Sequence, residues 1–304
     1  MMTVLSSFFR MVDTLLAGGD MEEANYAITL LGDKLDDKSL KAVSKLVPIG
    51  RRQWLQPLGA VMLFVPERKL DLQKLEARLP DLLPHVDWVV EMLPRTPKKL
   101  LISDMDSTMI EQECIDELAD FVGKKQHVAA ITERAMNGEL VFEEALRERV
   151  ALLKGLPVST LQECFDKKIT PMGGAKELVT AFKKQGGKAV LVSGGFTFFT
   201  ERVAKMLCFD EHYSNILEIE DGKLTGMVRE PILGKEAKLA ELNRQCELLS
   251  IEPKNVIAIG DGANDLPMLK AAGLGIAYHA KPTVQSQVNA RINHGDLSGI
   301  QYLF

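Results

Sequence analysis

Leu100-Leu-Ile-Ser-Asp-Met-Asp-Ser-Thr108 is the stretch on which the fold turns. An apolar run, residues 100–102, leads directly into two carboxylates spaced two apart, Asp104 and Asp106. A run this short and this apolar reads as a strand buried on both faces. Side chains alternate along a strand, so Asp104 and Asp106 point the same way. Ligands of open α/β sheets bind beyond the carboxyl ends of the strands, where these two acids would lie. Two adjacent carboxylates repel each other and gain from a hard cation beside them. A short acidic run can also be a solvated turn. That reading weakens because a second such loop, Gly260-Asp-Gly-Ala-Asn-Asp265, follows a second apolar run over residues 256–259.

Outward from this stretch the chain repeats strand then helix. Residues 100–105, 188–193, 256–260 and 274–278 are short apolar runs separated by helical patterns. This predicts an α/β fold with a Rossmann-like doubly wound parallel sheet. Residues 111–169 break the rhythm with helical patterns alone. They predict a helical cap inserted after the first strand, a lid over the active edge of a core formed by residues 96–110 and 170–304. Asp221-Gly222 marks a hairpin over residues 216–229. Residues 1–95 read as a separate small α/β domain. Helix-like spacing covers 6–17, 21–32 and 70–80, strand-like runs cover 59–65 and 87–93, and Pro94 and Pro97 mark a linker.

Bulk properties narrow the function. The chain has 304 residues, 46% hydrophobic and 26% charged, as expected of a globular protein of two or three domains. A net charge of −5 leaves no basic footprint for nucleic acid. No apolar run reaches the roughly 20 residues of a membrane span, and the first ten residues lack the basic-then-apolar order of a signal peptide. Cys114, Cys164, Cys208 and Cys246 are scattered and read as reduced core thiols of a cytoplasmic protein.

The chemistry then follows residue by residue. Asp104 is the candidate nucleophile, since a carboxylate can attack phosphorus to give an aspartyl-phosphate. Asp106 is the candidate acid/base, because an alkoxide leaving group needs a proton. Ser193-Gly194-Gly195, between a strand and a helix, suits a phosphate through backbone approach and a hydroxyl donor, or is a plain turn. Lys238 opens a helical pattern over 236–249, where a bound phosphate would favour a cation; a solvated lysine is the alternative, and Lys235 competes for the role. Asp261 can complete a magnesium site with Asp104, Asn264 can donate to phosphate, and Asp265 can hold the lysine or a metal-bound water. Arg149 shares an apolar helical stripe with Phe142, Leu146, Val150 and Leu153. A guanidinium there needs an anion, either Glu113 or Glu117 in a structural salt bridge or a substrate carboxylate. Glu113 could take a substrate ammonium. Opposite charges flanking a phosphate pocket suit a phosphorylated amino acid.

Residues 104–116, Ser193-Gly-Gly-Phe196, Lys238 and Gly260-Asp-Gly-Ala-Asn-Asp265 together resemble the haloacid dehalogenase superfamily, and within it the phosphoserine phosphatase branch. The likeness covers residues 98–303, with no departure at the catalytic positions. It implies a magnesium-dependent phosphatase of serine synthesis. In it Asp104, Asp261 and the backbone carbonyl of Asp106 hold Mg²⁺, and Ser193, Gly194, Lys238 and Asn264 hold phosphate. Asp265 stands behind them, and Glu113 and Arg149 read the substrate's ammonium and carboxylate. Met136 and Phe142 match apolar lid positions, or are plain helix core. Phosphoserine is then the expected partner, with no nucleic acid or membrane and a homodimer admissible. An ACT-like identity for residues 1–95 is a further expectation. Two other readings stay open: a phosphotransferase passing the phosphoryl group to another alcohol, and a catalytically silent binding protein on this fold.

Overall fold

The computed structural model describes residues 24–66 and 69–304. The helix expected over 6–17 lies outside the described residues. The chain divides into two compact units, Met1–Arg95 and Thr96–Phe304.

In the first unit the elements run β1 (Tyr26–Leu31), α1 (Asp37–Val43), β2 (Arg51–Gln56), β3 (Ala60–Val65), α2 (Leu72–Leu82) and β4 (Asp87–Met92). The strands lie in the order β2-β3-β1-β4, and every pairing is antiparallel. This is the split βαβ arrangement of ferredoxin-like units. Leu40 and Val43 of α1 and Leu75 and Leu79 of α2 share one core with Ile28, Leu30, Val61 and Leu63 of the sheet. The helix expected over 21–32 is corrected here. Tyr26 to Leu31 is a central strand paired on both sides, and all but Tyr26 is buried. A segment buried on both faces carries no polar side, so its spacing cannot tell strand from helix.

The second unit holds β5 (Leu100–Ser103), β6 (Lys188–Phe196), β7 (Glu211–Asn215), β10 (Val256–Gly260), β11 (Leu274–Tyr278) and β12 (Ala290–Ile292). All their pairings are parallel, in the order β12-β11-β10-β5-β6-β7. From β7 this is the doubly wound 3-2-1-4-5-6 order, and its direction reverses between β5 and β10. The crevice at that switch opens where the two acidic loops emerge. Strand β5 ends at Ser103 rather than 105, because residues 105–110 wrap into a tight loop. Three N–H groups, of Thr108, Met109 and Ile110, converge there on the Met105 carbonyl. The hairpin β8 (Leu217–Glu220) and β9 (Lys223–Val228) turns through Asp221 and Gly222, both at positive φ.

Four helices leave the β5 loop: α3 (Cys114–Asp120), α4 (Lys125–Met136), α5 (Phe142–Ala151) and α6 (Ser159–Lys168). The chain re-enters the core at Pro171, which bridges to Ile110. The core helices follow as α7 (Ala175–Lys184), α8 (Thr197–Leu207), α9 (Lys235–Leu249) and α10 (Leu266–Ala271). Leu242 and Cys246 of α9 and Met268 and Leu269 of α10 pack on Leu100, Ile102, Val256 and Ala258 of the sheet. Cys114 and Cys164 are buried as well, but Cys208, in the left-handed turn that ends α8, is exposed and is not the core thiol expected. Helix α10 lies so close to β11 that a Cβ at Gly275 would stand 2.0 Å from the Leu269 carbonyl oxygen. Among the described residues no helix is long and apolar enough to cross a membrane.

Strand β7 begins at Glu211, whose carboxylate accepts from Lys188 Nζ at 2.6 Å, the Tyr213 hydroxyl at 2.6 Å and Gln245 Nε2 at 2.7 Å. These donors, Lys188 foremost, hold its pKa down from 4.5 to about 2. A carboxylate depressed by folding adds stability above its unfolded pKa and loses it as pH falls through the folded one. Stability should therefore drop from pH 4.5 toward about 2 with a component that Glu211→Gln lacks. Denaturant unfolding at neutral and acid pH measures it, and an identical drop in both proteins would remove Glu211 from the acid response.

Candidate active site

The site is built where β5 and β10 end. Asp104 follows β5, and its N–H donates to the Ile259 carbonyl of β10 at 3.0 Å, tying the two strand ends together. Met105 turns into the core, fully buried, so Asp104 and Asp106 face one cavity. Helix α9 delivers Lys238 from the side. Its Nζ lies 2.6 Å from Asp104 Oδ1 and 2.6 Å from Asp265 Oδ1, and its side chain is 0% exposed. It is therefore no solvated lysine. Lys235 is the exposed one, and it pairs with Glu236 at 3.5 Å.

The other oxygen of Asp265, Oδ2, accepts the N–H groups of Asp261 at 3.2 Å and Gly262 at 3.0 Å, which shapes the loop. Asp261 Oδ1 accepts from the Thr108 hydroxyl at 3.2 Å. Asp106 is held at both oxygens, by the Cys114 N–H at 2.8 Å and by the Ser193 hydroxyl at 3.1 Å. Ser193 Oγ in turn accepts the Gly195 N–H at 2.8 Å. Glu113 stands just before α3 and accepts from the Ser107 hydroxyl at 2.6 Å.

The electrostatics follow from crowding acids away from water. Burial, then the charge of Asp265, pushes the Asp104 carboxyl up to about 7 against the pull of Lys238. Burial also raises Asp106, opposed by its bonds from Cys114 and Ser193. Burial and the charge of Asp106 push Glu113 up to about 8. Burial and the charge of Glu113 raise Asp261 well above the usual carboxylate range. Burial would lower Lys238, but Asp104 and Asp265 outweigh it and keep the ammonium charged. One ammonium cannot offset so many carboxylates.

The donor set fits a hard cation. Asp104, Asp261 and Asp265 bring carboxylate oxygens within 4.8 Å of one another. Both Asp265 oxygens already accept from protein donors, whereas among the described residues Asp104 and Asp261 each keep one oxygen without a protein donor. Asp106 accepts one protein hydrogen bond on each side-chain oxygen, from Cys114 and Ser193. The Asn264 side-chain carbonyl is buried against the same cavity without a hydrogen-bond partner.

The cap forms the roof. Asp104, Asp106, Glu113, Met136, Phe142, Arg149, Gly194 and Asn264 line one empty volume of about 470 Å³, in part open to solvent. Eight of the twelve residues expected at the site thus line one cavity. Ser193, Lys238, Asp261 and Asp265 stand behind that lining and hold it. The Phe142 ring packs on Gly194, and the Met136 thioether packs on Gly262. Arg149 is 4% exposed and makes no salt bridge to Glu113 or Glu117. It donates instead to the Ala145 carbonyl and the Thr132 hydroxyl, each at 3.0 Å, and Glu117 pairs with Lys125.

Several supporting residues were not legible in the sequence. Ser107 and Thr108, beside the paired aspartates, bond Glu113 and Asp261, and adjacency to the motif was the signal available for them. Asn215 lies at the end of β7, a strand with no clear apolar pattern. Its amide donates to the carbonyls of Gly194 at 2.8 Å and Leu233 at 3.2 Å and accepts the Leu233 N–H at 2.7 Å. It thereby straps the Ser193 loop to the segment leading into Lys238.

Comparison with known proteins places this geometry. A family model for haloacid dehalogenase-like hydrolases matches residues 101–270. A phosphoserine phosphatase of Albidiferax ferrireducens is 50% identical over 211 residues, 68% of this chain and 89% of that protein. A crystal structure of a haloacid dehalogenase family hydrolase from Salmonella enterica serovar Typhi aligns with a TM-score of 0.83 at 31% identity. It covers 91% of this chain and 97% of that one. A substrate-bound phosphoserine phosphatase aligns with a TM-score of 0.65 at 39% identity, covering 68% of this chain and 98% of that one.

The contact between cap and core is steric as well as chemical. A Cβ at Gly194 would stand 2.5 Å from Phe142 Cζ. Overpacking of this kind costs roughly 1–3 kcal/mol. Gly194→Ala should therefore cut kcat/KM by on the order of tenfold or more, since the cap cannot seat. Adding Phe142→Ala should recover part of that loss. No recovery in the double variant would place the Gly194 requirement at the phosphate rather than at the cap.

Proposed function

The chain belongs to the haloacid dehalogenase-like hydrolases and, within them, to the phosphoserine phosphatases. On that premise we propose that it hydrolyses O-phospho-L-serine to L-serine and phosphate, the closing step of serine synthesis, through an aspartyl-phosphate. The observation that carries this reading is the layout of one cavity. A nucleophile and an acid lie on its floor, and Glu113 and Arg149 project from the cap side.

Lys238 holds Asp104 Oδ1, leaving Oδ2 to attack phosphorus. Asp106, raised by burial, carries the proton that the departing serine oxygen needs. The bond from Asp104 to phosphorus forms as the bond from phosphorus to the serine oxygen breaks. Asp106, now ionised, takes a proton from water, whose oxygen attacks the phosphorus and releases Asp104. Ser193, Gly194, Lys238 and Asn264 hold the phosphoryl oxygens in both steps. Phosphoryl transfer asks the protein chiefly for positioning and electrostatic stabilisation. A magnesium ion held by Asp104, Asp261 and the Asp106 carbonyl would neutralise charge on the phosphoryl oxygens and fits a site short of positive charge.

Recognition falls to the cap. Arg149, lacking a carboxylate partner, grips the substrate carboxylate, and Glu113 accepts the ammonium. Met136 and Phe142 close the apolar side of the roof. Residues 96–110 and 170–304 act as the phosphatase core, residues 111–169 as the cap, and residues 1–95 as an accessory domain of ACT-like type.

Phosphate release from L-phosphoserine, followed with magnesium and with EDTA beside a panel of other esters, tests the reaction. Fast, selective, EDTA-sensitive release is expected, and Asp104→Asn should lower it by on the order of 10³ or more. Release from other esters but not phosphoserine would overturn the substrate, and transfer to an added alcohol would make the chain a phosphotransferase. Arg149→Ala should raise KM for phosphoserine by on the order of tenfold or more. An unchanged KM would move Arg149 out of recognition.

A further inference from the structure

Arg149 raises a physical question that its proposed role does not answer. A buried guanidinium is costly without a counter-charge, yet one already locked to a protein carboxylate would have to give up that partner to take a ligand. The cap answers it with a hydroxyl. Thr132, on α4 and 4% exposed, places Oγ1 at 3.0 Å from Arg149 NH1 on α5. The same Oγ1 lies 2.6 Å from Asp116 Oδ1 on α3. Its contact to the Val128 carbonyl is longer, 3.1 Å.

A hydroxyl has one proton to donate and lone pairs to offer. The short contact to a carboxylate takes that proton, because charge-assisted bonds are the stronger ones. The lone pair of Oγ1 is thereby turned toward Arg149. Asp116 thus supplies counter-charge to the guanidinium one hydroxyl away, without standing in the ligand's place. The charges of Glu113 and then of Asp116 are also felt directly by Arg149. With Nε–H spent on the Ala145 carbonyl, these contacts fix the plane of the guanidinium and leave its remaining N–H groups for the cavity.

We infer that Thr132 is a positioning residue for Arg149, and through it a determinant of selectivity for phosphate esters that carry a carboxylate. This rests on the proposed role of Arg149 as the grip on that carboxylate. The relay of Asp116, Thr132 and Arg149 ties three cap helices together through one oxygen, so the aim of the arginine is set by the assembled cap.

The test compares Thr132→Val, which keeps the shape and removes the hydroxyl, with Thr132→Ser, which keeps the hydroxyl. Each is measured as kcat and KM for phosphoserine and as the inhibition constant of phosphoethanolamine, which has the phosphate and ammonium but no carboxylate. Thr132→Val should raise KM for phosphoserine about tenfold, while kcat and the phosphoethanolamine constant move less than about threefold. Thr132→Ser should restore KM to within about threefold of the parent. Asp116→Asn, isosteric and less disruptive, should shift KM in the same direction by a smaller factor and covers the case in which Thr132→Val does not fold. Arg149→Ala separates the two levels of the argument. If it raises KM selectively and Thr132→Val and Asp116→Asn do not, the relay is overturned and the grip stands. Equal weakening of both ligands by Thr132→Val, or no rescue by Thr132→Ser, would reduce Thr132 to packing. If Arg149→Ala leaves KM unchanged, the grip falls and the relay with it.

Discussion

A fully buried lysine shared by two buried aspartates is the constraint on which this unit is organised. Lys238 touches Asp104 at the end of β5 and Asp265 in the loop after β10. It thereby pins helix α9 to the two strands that flank the topological switch. Removing one member of a buried charged pair leaves an uncompensated charge, typically at about 3–5 kcal/mol. The arrangement is tolerable because Asp265 is satisfied at its other oxygen by two backbone N–H groups, so the triad is also a loop clamp. A single cation here does not balance Asp104, Asp106, Glu113, Asp261 and Asp265. The raised carboxyl groups of the first four express that imbalance. The same crowding of acids ties the site together and leaves it short of positive charge.

The cap works by a different physics. Its floor contacts are steric, with an aromatic ring against Gly194 and a thioether against Gly262. Glycine at these positions lets α4 and α5 descend onto the core loops. Gly194 is therefore required by the ring above it. The ionisable groups of the roof are each anchored by a hydroxyl. Glu113 is held by Ser107 and Arg149 by Thr132, and no direct ion pair joins these two residues, although the Glu113 charge reaches the guanidinium.

Much of this was legible in the chain itself, for identifiable reasons. Asp104, Asp106, Asp261 and Asp265 follow short apolar runs, and a buried strand ending in acid is a pattern with few other uses. Lys238 could be suspected only because a phosphate would reverse its unfavourable place at a helix start. Where reading failed, pattern was missing. Tyr26 to Leu31 is buried on both faces and mimics a helix. Glu211 to Asn215 forms an edge strand with mostly polar residues and leaves no apolar signature. The strap made by Asn215 was hidden with it.

The sequence by itself determined the class of fold and the chemical types at the site, because those depend on local spacing: apolar runs of strand length, acids at fixed offsets, glycines before helices. Tertiary structure decided which lysine is buried, which carboxylates keep an oxygen free, and that Arg149 meets a hydroxyl and a carbonyl rather than Glu113 or Glu117 in an ion pair. Those outcomes depend on distances between residues far apart in the chain, such as the 2.6 Å between Lys238 and Asp104. Such distances are set only when strands take their order in the sheet and the cap settles on it. A buried charge is defined by what surrounds it, and local spacing carries no record of that.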